Sequence, residues 1–387
     1  MVLNNYSNKS KKLIIYCAVP FFDTWPKKWG LDKFKNYGFD VELWSTEEIF
    51  YKLENIKTAA SGSSTYLYKD LDITKIKNLT DLENKVAELN SEAIVCIMTL
   101  GSLHDKKPLN NNNSANPDLD IFNKYKIKYA FHHIPHFVVP SFWFKLKFQV
   151  RLLQKKLYNY KKKPSLIIGS GWQGREQAFK IYKNKFIYKS VPSFNILWFK
   201  EEPIINEKYI IYVEESVNLS PDAILFGHKN STHDVEGFYK RINDVFEKIE
   251  NWTNSKVIIA ASGKYDYKIN PFNNRQIIYK KTPQLIQHSE LVIGHKSSGL
   301  DQAIADFKPI LFFKDEGFSD FKNKIIHNFA LTYRKNSIWT NQLTKTNFEK
   351  NKYVNLVYNK QVINLFLKED NITGTFIENA ASAFHQI

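Results

Sequence analysis

The five residues His295-Lys296-Ser297-Ser298-Gly299 gather an imidazole, an ammonium, two hydroxyls and a glycine into one short stretch. They follow Leu291 to Gly294, an apolar run of the kind a buried parallel strand shows, and precede Leu300 to Asp306, which reads as helix. A small polar turn that opens a helix presents unpaired backbone N–H groups and the positive end of a helix dipole, which together suit a phosphate or diphosphate. The same residues also fit a plain helix cap, with Ser297 and Ser298 serving the first N–H groups of the helix. Two further groups carry acid–base chemistry. Glu214-Glu215 end the strand pattern Tyr209 to Val213, where a carboxylate can meet a ribose, an acceptor or plain solvent. The segment FHHIPHF brings His132, His133 and His136 to the end of another strand pattern. Tandem histidines point to opposite faces of a strand, so a general base among them is the better reading than a metal pair. Asp23, Asp118 and Asp120 are the other bases available in that half of the chain.

The elements that must hold these residues alternate. Lys12 to Val19 is strand, Trp29 to Tyr37 helix ending at Gly38, and Phe39 to Trp44 strand, a βαβ unit near the N-terminus. Further strands are expected at Ala93 to Thr99, Lys128 to Phe131, Ser165 to Gly169 and Phe186 to Tyr188. Between two of these lies the Asn- and Pro-rich loop Asp105 to Asp118. The pattern breaks in FKEEPIINEK, Phe199 to Lys208, and restarts with Tyr209 to Val213, the amphipathic helix Asp234 to Asn251 and the strand Lys256 to Ala261. Gln276 to Tyr279, a helix introduced by Thr282-Pro283, and the opening turn complete the series. The expected architecture is α/β, two Rossmann-like domains whose parallel sheets face a central cleft, divided as residues 1–203 and 204–387. The tail from Thr373 reads as a helix that returns to the first domain.

Composition narrows the class. At 387 residues, with 43% hydrophobic and 15% aromatic content, the chain is folded and exceeds what one core supports. Cys17 and Cys96 sit in apolar runs and read as reduced core thiols of a cytoplasmic protein, with neither a disulfide framework nor a zinc site. The N-terminus lacks an export-signal pattern, and no run is long and apolar enough to span a bilayer. Fifty-five Lys and Arg against 39 Asp and Glu favour polyanionic partners or anionic membranes. The charge is densest in Ser141 to Pro164, a basic, aromatic stretch suited to a bilayer surface or a lipid phosphate, or to a solvated helix face. No nucleic-acid-binding module accompanies it.

The register Thr-Pro helix, SELVIG strand, HKSSGLDQAIA turn and helix, and KPILF strand resembles the donor-binding domain of GT-B glycosyltransferases and of UDP-N-acetylglucosamine 2-epimerases. With KYIIYVEE, SPD, VIIAA and YKINPFNNR upstream, Lys208 to Phe313 resembles the sialyltransferase-like group of bacterial capsule and O-antigen enzymes. The resemblance implies a transferase that moves a sugar from a CMP- or UDP-linked donor to a glycan or lipid-linked glycan, in the cytoplasm or on the inner membrane face, without a metal or other cofactor. It implies donor contacts from Gly227, Lys264, Thr282, His295, Lys296, Ser297, Ser298, Gly299 and Gln302, and a catalytic group among His132, His133, Asp118 and Glu215. Tyr267, Asn270 and Arg275 either line the donor pocket or shape a turn. Two departures stand out. Ser262-Gly263, followed by Lys264, replaces the His-Pro pair of those relatives, and Gln302 replaces the ribose-binding glutamate of many UDP-sugar enzymes. An epimerase or hydrolase of nucleotide sugars, or a non-catalytic assembly protein, are the alternative readings.

Overall fold

The computed structural model describes residues 10–18, 30–54, 56–57, 72–98, 117–133, 164–182, 186–193, 196–215, 217, 232–261, 266–352 and 356–387. Two parallel sheets account for its strands. The first contains β1 (Lys11–Cys17), β2 (Phe39–Ser45), β3 (Ile73–Lys75), β4 (Ile94–Met98), β5 (Lys128–His133), β6 (Leu166–Gly169) and β7 (Ile187–Ser190). The second contains β8 (Tyr209–Val213), β9 (Lys256–Ala261), β10 (Ile277–Tyr279), β11 (Leu291–Gly294), β12 (Ile310–Lys314) and β13 (Ser337–Trp339). Their orders are β3-β2-β1-β4-β5-β6-β7 and β10-β9-β8-β11-β12-β13. Each sheet therefore reverses its strand order once, between β1 and β4 and between β8 and β11, and such reversals open a crevice beyond the carboxyl ends of the strands. The central strands are buried along their whole length, as in β4, β8 and β11, because helices cover both faces.

The helices that matter for the site are α1 (Pro117–Lys124), α2 (Gly171–Ile181), α3 (Val235–Thr253), α4 (Thr282–His288), α5 (Leu300–Ala305), α6 (Asp320–Thr332) and α7 (Phe376–Phe384). Helix α3 buries Phe238, Ile242, Val245, Phe246 and Ile249, starts on the side chain of Asp234, which accepts the Gly237 N–H, and ends at left-handed Asn254. The stretch expected as a helix before β2 is a 3-10 helix, Leu31–Tyr37, bounded by left-handed Gly30 and Gly38. Helix α7 opens on a capping box between Thr375 and Glu378. It buries Phe376, Ala380, Ala381, Ala383 and Phe384 in the core of the first sheet, and His385 beyond it donates to the Tyr37 carbonyl at 2.7 Å. Cys17 and Cys96 are buried free thiols of that core, and burial pushes the Cys96 thiol upward. No helix among the described residues is long and apolar enough to cross a membrane.

Between β7 and β8 the described residues have no regular secondary structure, and side chains of the second sheet's helices hold them down. Gln302 accepts the Leu197 N–H at 2.8 Å and donates to the Leu197 carbonyl and to Asp306. Gln287 accepts from Glu201 and donates to Phe199, and His288 donates to the Glu201 carbonyl. Glutamine amides carry one acceptor and two donors, so they pair with an extended backbone as a strand would.

Candidate functional site

The crevice at the β8/β11 reversal gathers residues far apart in sequence. β8 delivers Glu214 and Glu215 and β11 delivers His295 to Gly299, because the two strands pair in parallel with Ile293 opposite Tyr212. Glu215 accepts the N–H of Lys296, which ties the two strand ends together. The turn continues with Gly299 donating to the Ser297 hydroxyl at 3.2 Å and with the Ser297 carbonyl accepting from Leu300. The N–H groups of Ser297 and Ser298 have no partner among the described residues. A Cβ on Gly299 would stand 3.3 Å from both Val213 and Thr282, so glycine lets the starts of α4 and α5 close on the end of β8. Thr282, Lys296, Ser297, Ser298, Gly299 and Glu215 are thus brought together. Helix α5 has only six residues, so the turn's own N–H and hydroxyl donors, more than a helix dipole, are what it offers a ligand.

One residue at this crevice was absent from the sequence reading. Lys322 lies in the first turn of α6, its N–H donating to Ser319 at 3.2 Å. Its ammonium sits 3.8 Å from the centre of the Phe318 ring. It has no hydrogen bond or ion pair from its side chain among the described residues. Burial lowers its pKa, against the pull of Glu215, Glu214 and Asp315. Burial pushes the carboxyl of Glu215 up to about 7, while Lys322, the Lys296 N–H and the Lys296 charge hold it down and Glu214 holds it up. The available signal was a lysine three residues after Ser319, at the helix end where a cation is least favoured.

Other expected donor contacts are placed differently. His295 is fully buried, donates from Nδ1 to the Phe313 carbonyl at 2.6 Å, and accepts at Nε2 from the Tyr212 hydroxyl at 2.9 Å. A carbonyl only accepts, so Nδ1 carries the proton, and burial lowers the ring's pKa to about 4. His295 is a neutral brace behind the turn, with Phe238 and Phe318 packed on it, and it does not reach a donor. Gln302, expected at a ribose, is fully buried with its amide spent on Leu197 and Asp306. Asn270 and Arg275 shape a turn: Asn270 bridges the Phe272 N–H and the Arg275 carbonyl, and Arg275 clamps Glu250 through two nitrogens. Tyr267 hydrogen-bonds Tyr239 at 3.3 Å, and Glu214 accepts the Val217 N–H. Gly227, Lys264, Ser262, Gly263, Asp23, His136, most of the Asp105 to Asp118 loop and all but the last residue of the basic stretch Ser141 to Pro164 lie outside the described residues.

Two of the bases expected from the first half, His132 and Asp118, are enclosed. His132 is 3% exposed, its ring against Phe376 of α7, and burial drops its pKa to about 3. A ring so placed stays neutral and does not face a cleft. Asp118, at the start of α1, is 2% exposed and accepts the Tyr16 hydroxyl at 3.1 Å. Asp120 is on the exposed face of that helix, and His133 ends β5 opposite Gly169. Among the described residues no cluster of three or more His, Cys, Asp or Glu is placed to hold a metal ion.

No protein-family model and no curated protein matches the chain in sequence. Solved structures do resemble it. The glycosyltransferase SnogD from Streptomyces nogalater superposes with a TM-score of 0.52 at 9% identity, over 98% of this chain and 99% of that one. The UDP-GlcNAc 2-epimerase from Methanocaldococcus jannaschii gives 0.45 at 11% identity, over 97% and 98%. MurG from Acinetobacter baumannii gives 0.46 at 9% identity, over 97% and 100%. At such identities the likeness concerns the fold. The two sheets and the match to SnogD establish two Rossmann-like domains in a GT-B fold.

Proposed function

We propose that this protein is a glycosyltransferase that moves a sugar from a nucleotide-sugar donor to a growing or lipid-linked bacterial surface glycan. The observation that carries this reading is the presence, at the order reversal of the second sheet, of the Ser297 and Ser298 hydroxyls and N–H groups, the latter unpartnered among the described residues, next to Glu215, which Lys322 faces. Glycosyl transfer passes through an oxocarbenium-like state as the donor's phosphate leaves, and fixed N–H, O–H and cationic groups stabilise that leaving charge. Such groups do so without a divalent ion, so the reading includes metal independence. Residues 204–387 serve as the donor domain and residues 1–203 as the acceptor side. The surface-polysaccharide role, the sialyltransferase-like kinship and a CMP- or UDP-linked donor rest on the sequence resemblance from Lys208 to Phe313. Peripheral membrane contact from the cytoplasmic side rests on the basic stretch Ser141 to Pro164.

A thermal-shift screen of CMP, UDP, GDP and their sugars identifies the ligand, because a ligand that binds only the folded state raises the midpoint. S297A/S298A should keep the unfolding midpoint and weaken the hit about tenfold or more, from the loss of two hydrogen bonds to a charged group. Unchanged affinity in calorimetry would remove the turn from the site. One observation favours an epimerase instead. Glu215, with a pKa of about 7, is poised to take and return a proton at a sugar carbon. Incubation with UDP-N-acetylglucosamine alone separates the two, since conversion without an acceptor supports the epimerase and a requirement for an acceptor supports the transferase.

A further inference from the structure

Lys322 breaks three local rules together. Its ammonium is partly buried, it stands in the first turn of a thirteen-residue helix where the dipole opposes a cation, and it meets no acceptor in the described structure. The charged groups that act on it are carboxylates. His295 and Glu215 lie beside it on the ends of β11 and β8, Glu214 and Asp315 complete the charged groups that face it, and the ring of Phe318 lies under the ammonium with Phe238 packed on that ring.

Glu215 already behaves as an anion bound there. Its carboxyl accepts the Lys296 N–H, the first N–H of the serine turn, and faces Lys322. We propose that Lys322 is the residue that meets the phosphate charge of the nucleotide sugar, and that Glu215 is its resident counter-charge, yielding the Lys296 N–H to the phosphate when the donor binds. This rests on the reading that the crevice takes a nucleotide sugar. It adds to that reading a cation from outside the resembling segment, contributed by α6, and an intramolecular competitor. A carboxylate left beside a phosphate takes up a proton, and Glu215 does so at small cost because burial has already brought its pKa to about 7. Lys296 and Lys322 oppose that uptake, while Glu214 favours it.

The test is calorimetric titration of UDP, GDP and CMP into the full chain as wild type, K322M, K322R and E215Q, with the thermal midpoint of each recorded. A nucleotide should bind wild type and bind K322M about tenfold or more weakly, with K322R in between, as expected for loss of a charge-assisted contact. E215Q, which leaves Lys322 untouched, should bind several-fold more tightly at pH 8. Equal affinity of wild type and K322M overturns the role of Lys322 and leaves the nucleotide site standing. An E215Q that binds no more tightly than wild type at pH 8 overturns the competitor role of Glu215. Failure of wild type to bind any of the three overturns both this inference and the functional reading beneath it. If K322M loses its unfolding transition, K322R decides for Lys322, since a merely structural lysine would move the midpoint and leave the nucleotide affinity of K322R unchanged.

Discussion

The two sheets share one strand order through their reversal points, yet several titratable groups at their carboxyl edges are treated differently. At the first, Tyr16 gives its hydroxyl to Asp118, Thr46 gives its own to the Cys17 carbonyl at 3.2 Å, and His132 is sealed under Phe376. At the second, Lys322 finds no acceptor, Ser298 is exposed, and Glu215 stands at a pKa of about 7. Burying a polar group costs little when it is hydrogen-bonded and a good deal when it is not. A titratable residue at a strand end is therefore ordinary. Among the described residues the first edge also buries the Ser190 hydroxyl at the end of β7 without a partner, so what marks the second edge is a charged group, Lys322, that the fold itself leaves unpaired among them.

The sharpest way to break this comparison is to attack a satisfied network at the second edge, where the distinction predicts a structural effect. Asp315, fully buried at the end of β12, receives Nε and Nη2 of Arg241 at 3.0 and 2.6 Å and the hydroxyl of Thr340. Burial alone would raise its pKa, and the guanidinium and these hydrogen bonds bring it below the usual value. Arg241→Ala leaves that carboxylate buried with its main partner gone, which should cost about 3–5 kcal/mol. Urea unfolding measures it. A loss under about 1 kcal/mol would mean that satisfied and unsatisfied charges cannot be told apart here by their partners.

Acid tests the enclosed histidines. His132 and His295 have folded pKa values of about 3 and about 4, below the ordinary value, so both stay neutral in the fold and protonate when it opens. Their contribution is whole above about pH 6.5 and is lost as pH falls toward those folded values, at about 1.4 kcal/mol per unit for each. Glu215 works the other way below about pH 7, since its carboxyl is protonated in the fold and charged in the unfolded chain. Between pH 6.5 and 5.5 these three groups leave a net loss of about 1 kcal/mol. Replacing His132 with Gln should remove about one proton from the slope. A stability profile as steep in that variant as in wild type would place His132 in water.

Much of this was legible in the chain. Tyr209–Val213, Lys256–Ala261 and Leu291–Gly294 form as strands over the same residues that the apolar runs mark, because a strand covered on both faces writes a continuous hydrophobic run. The edge strands Ile73–Lys75 and Ser337–Trp339 did not stand out, being three residues long and half polar. The turn at Lys296–Gly299 was visible as a turn, but the directions of its neighbours were not. Which way His295 and Gln302 face depends on the Phe313 carbonyl, the Tyr212 hydroxyl and the Leu197 backbone, none of which is local. Lys322 was silent for the same reason, since its meaning comes from Glu215, more than a hundred residues earlier.

The smallest effect discriminates most finely. If a donor phosphate takes the Lys296 N–H from Glu215, the bound state holds Glu215 protonated, while the free state ionises as pH rises through about 7. Binding must then draw a proton from solvent, and above that pH the affinity should fall by up to about tenfold per unit, which is about 1.4 kcal/mol. A nucleotide sugar suits the measurement because its diphosphate is a diester and does not itself titrate near neutrality. Calorimetry at pH 6, 7 and 8, in buffers of different ionisation enthalpy, should show proton uptake approaching one at pH 8 in wild type and near zero in E215Q. A flat profile in wild type would leave Glu215 holding the turn as structure, and the second edge would then differ from the first through Lys322 and the serine turn alone.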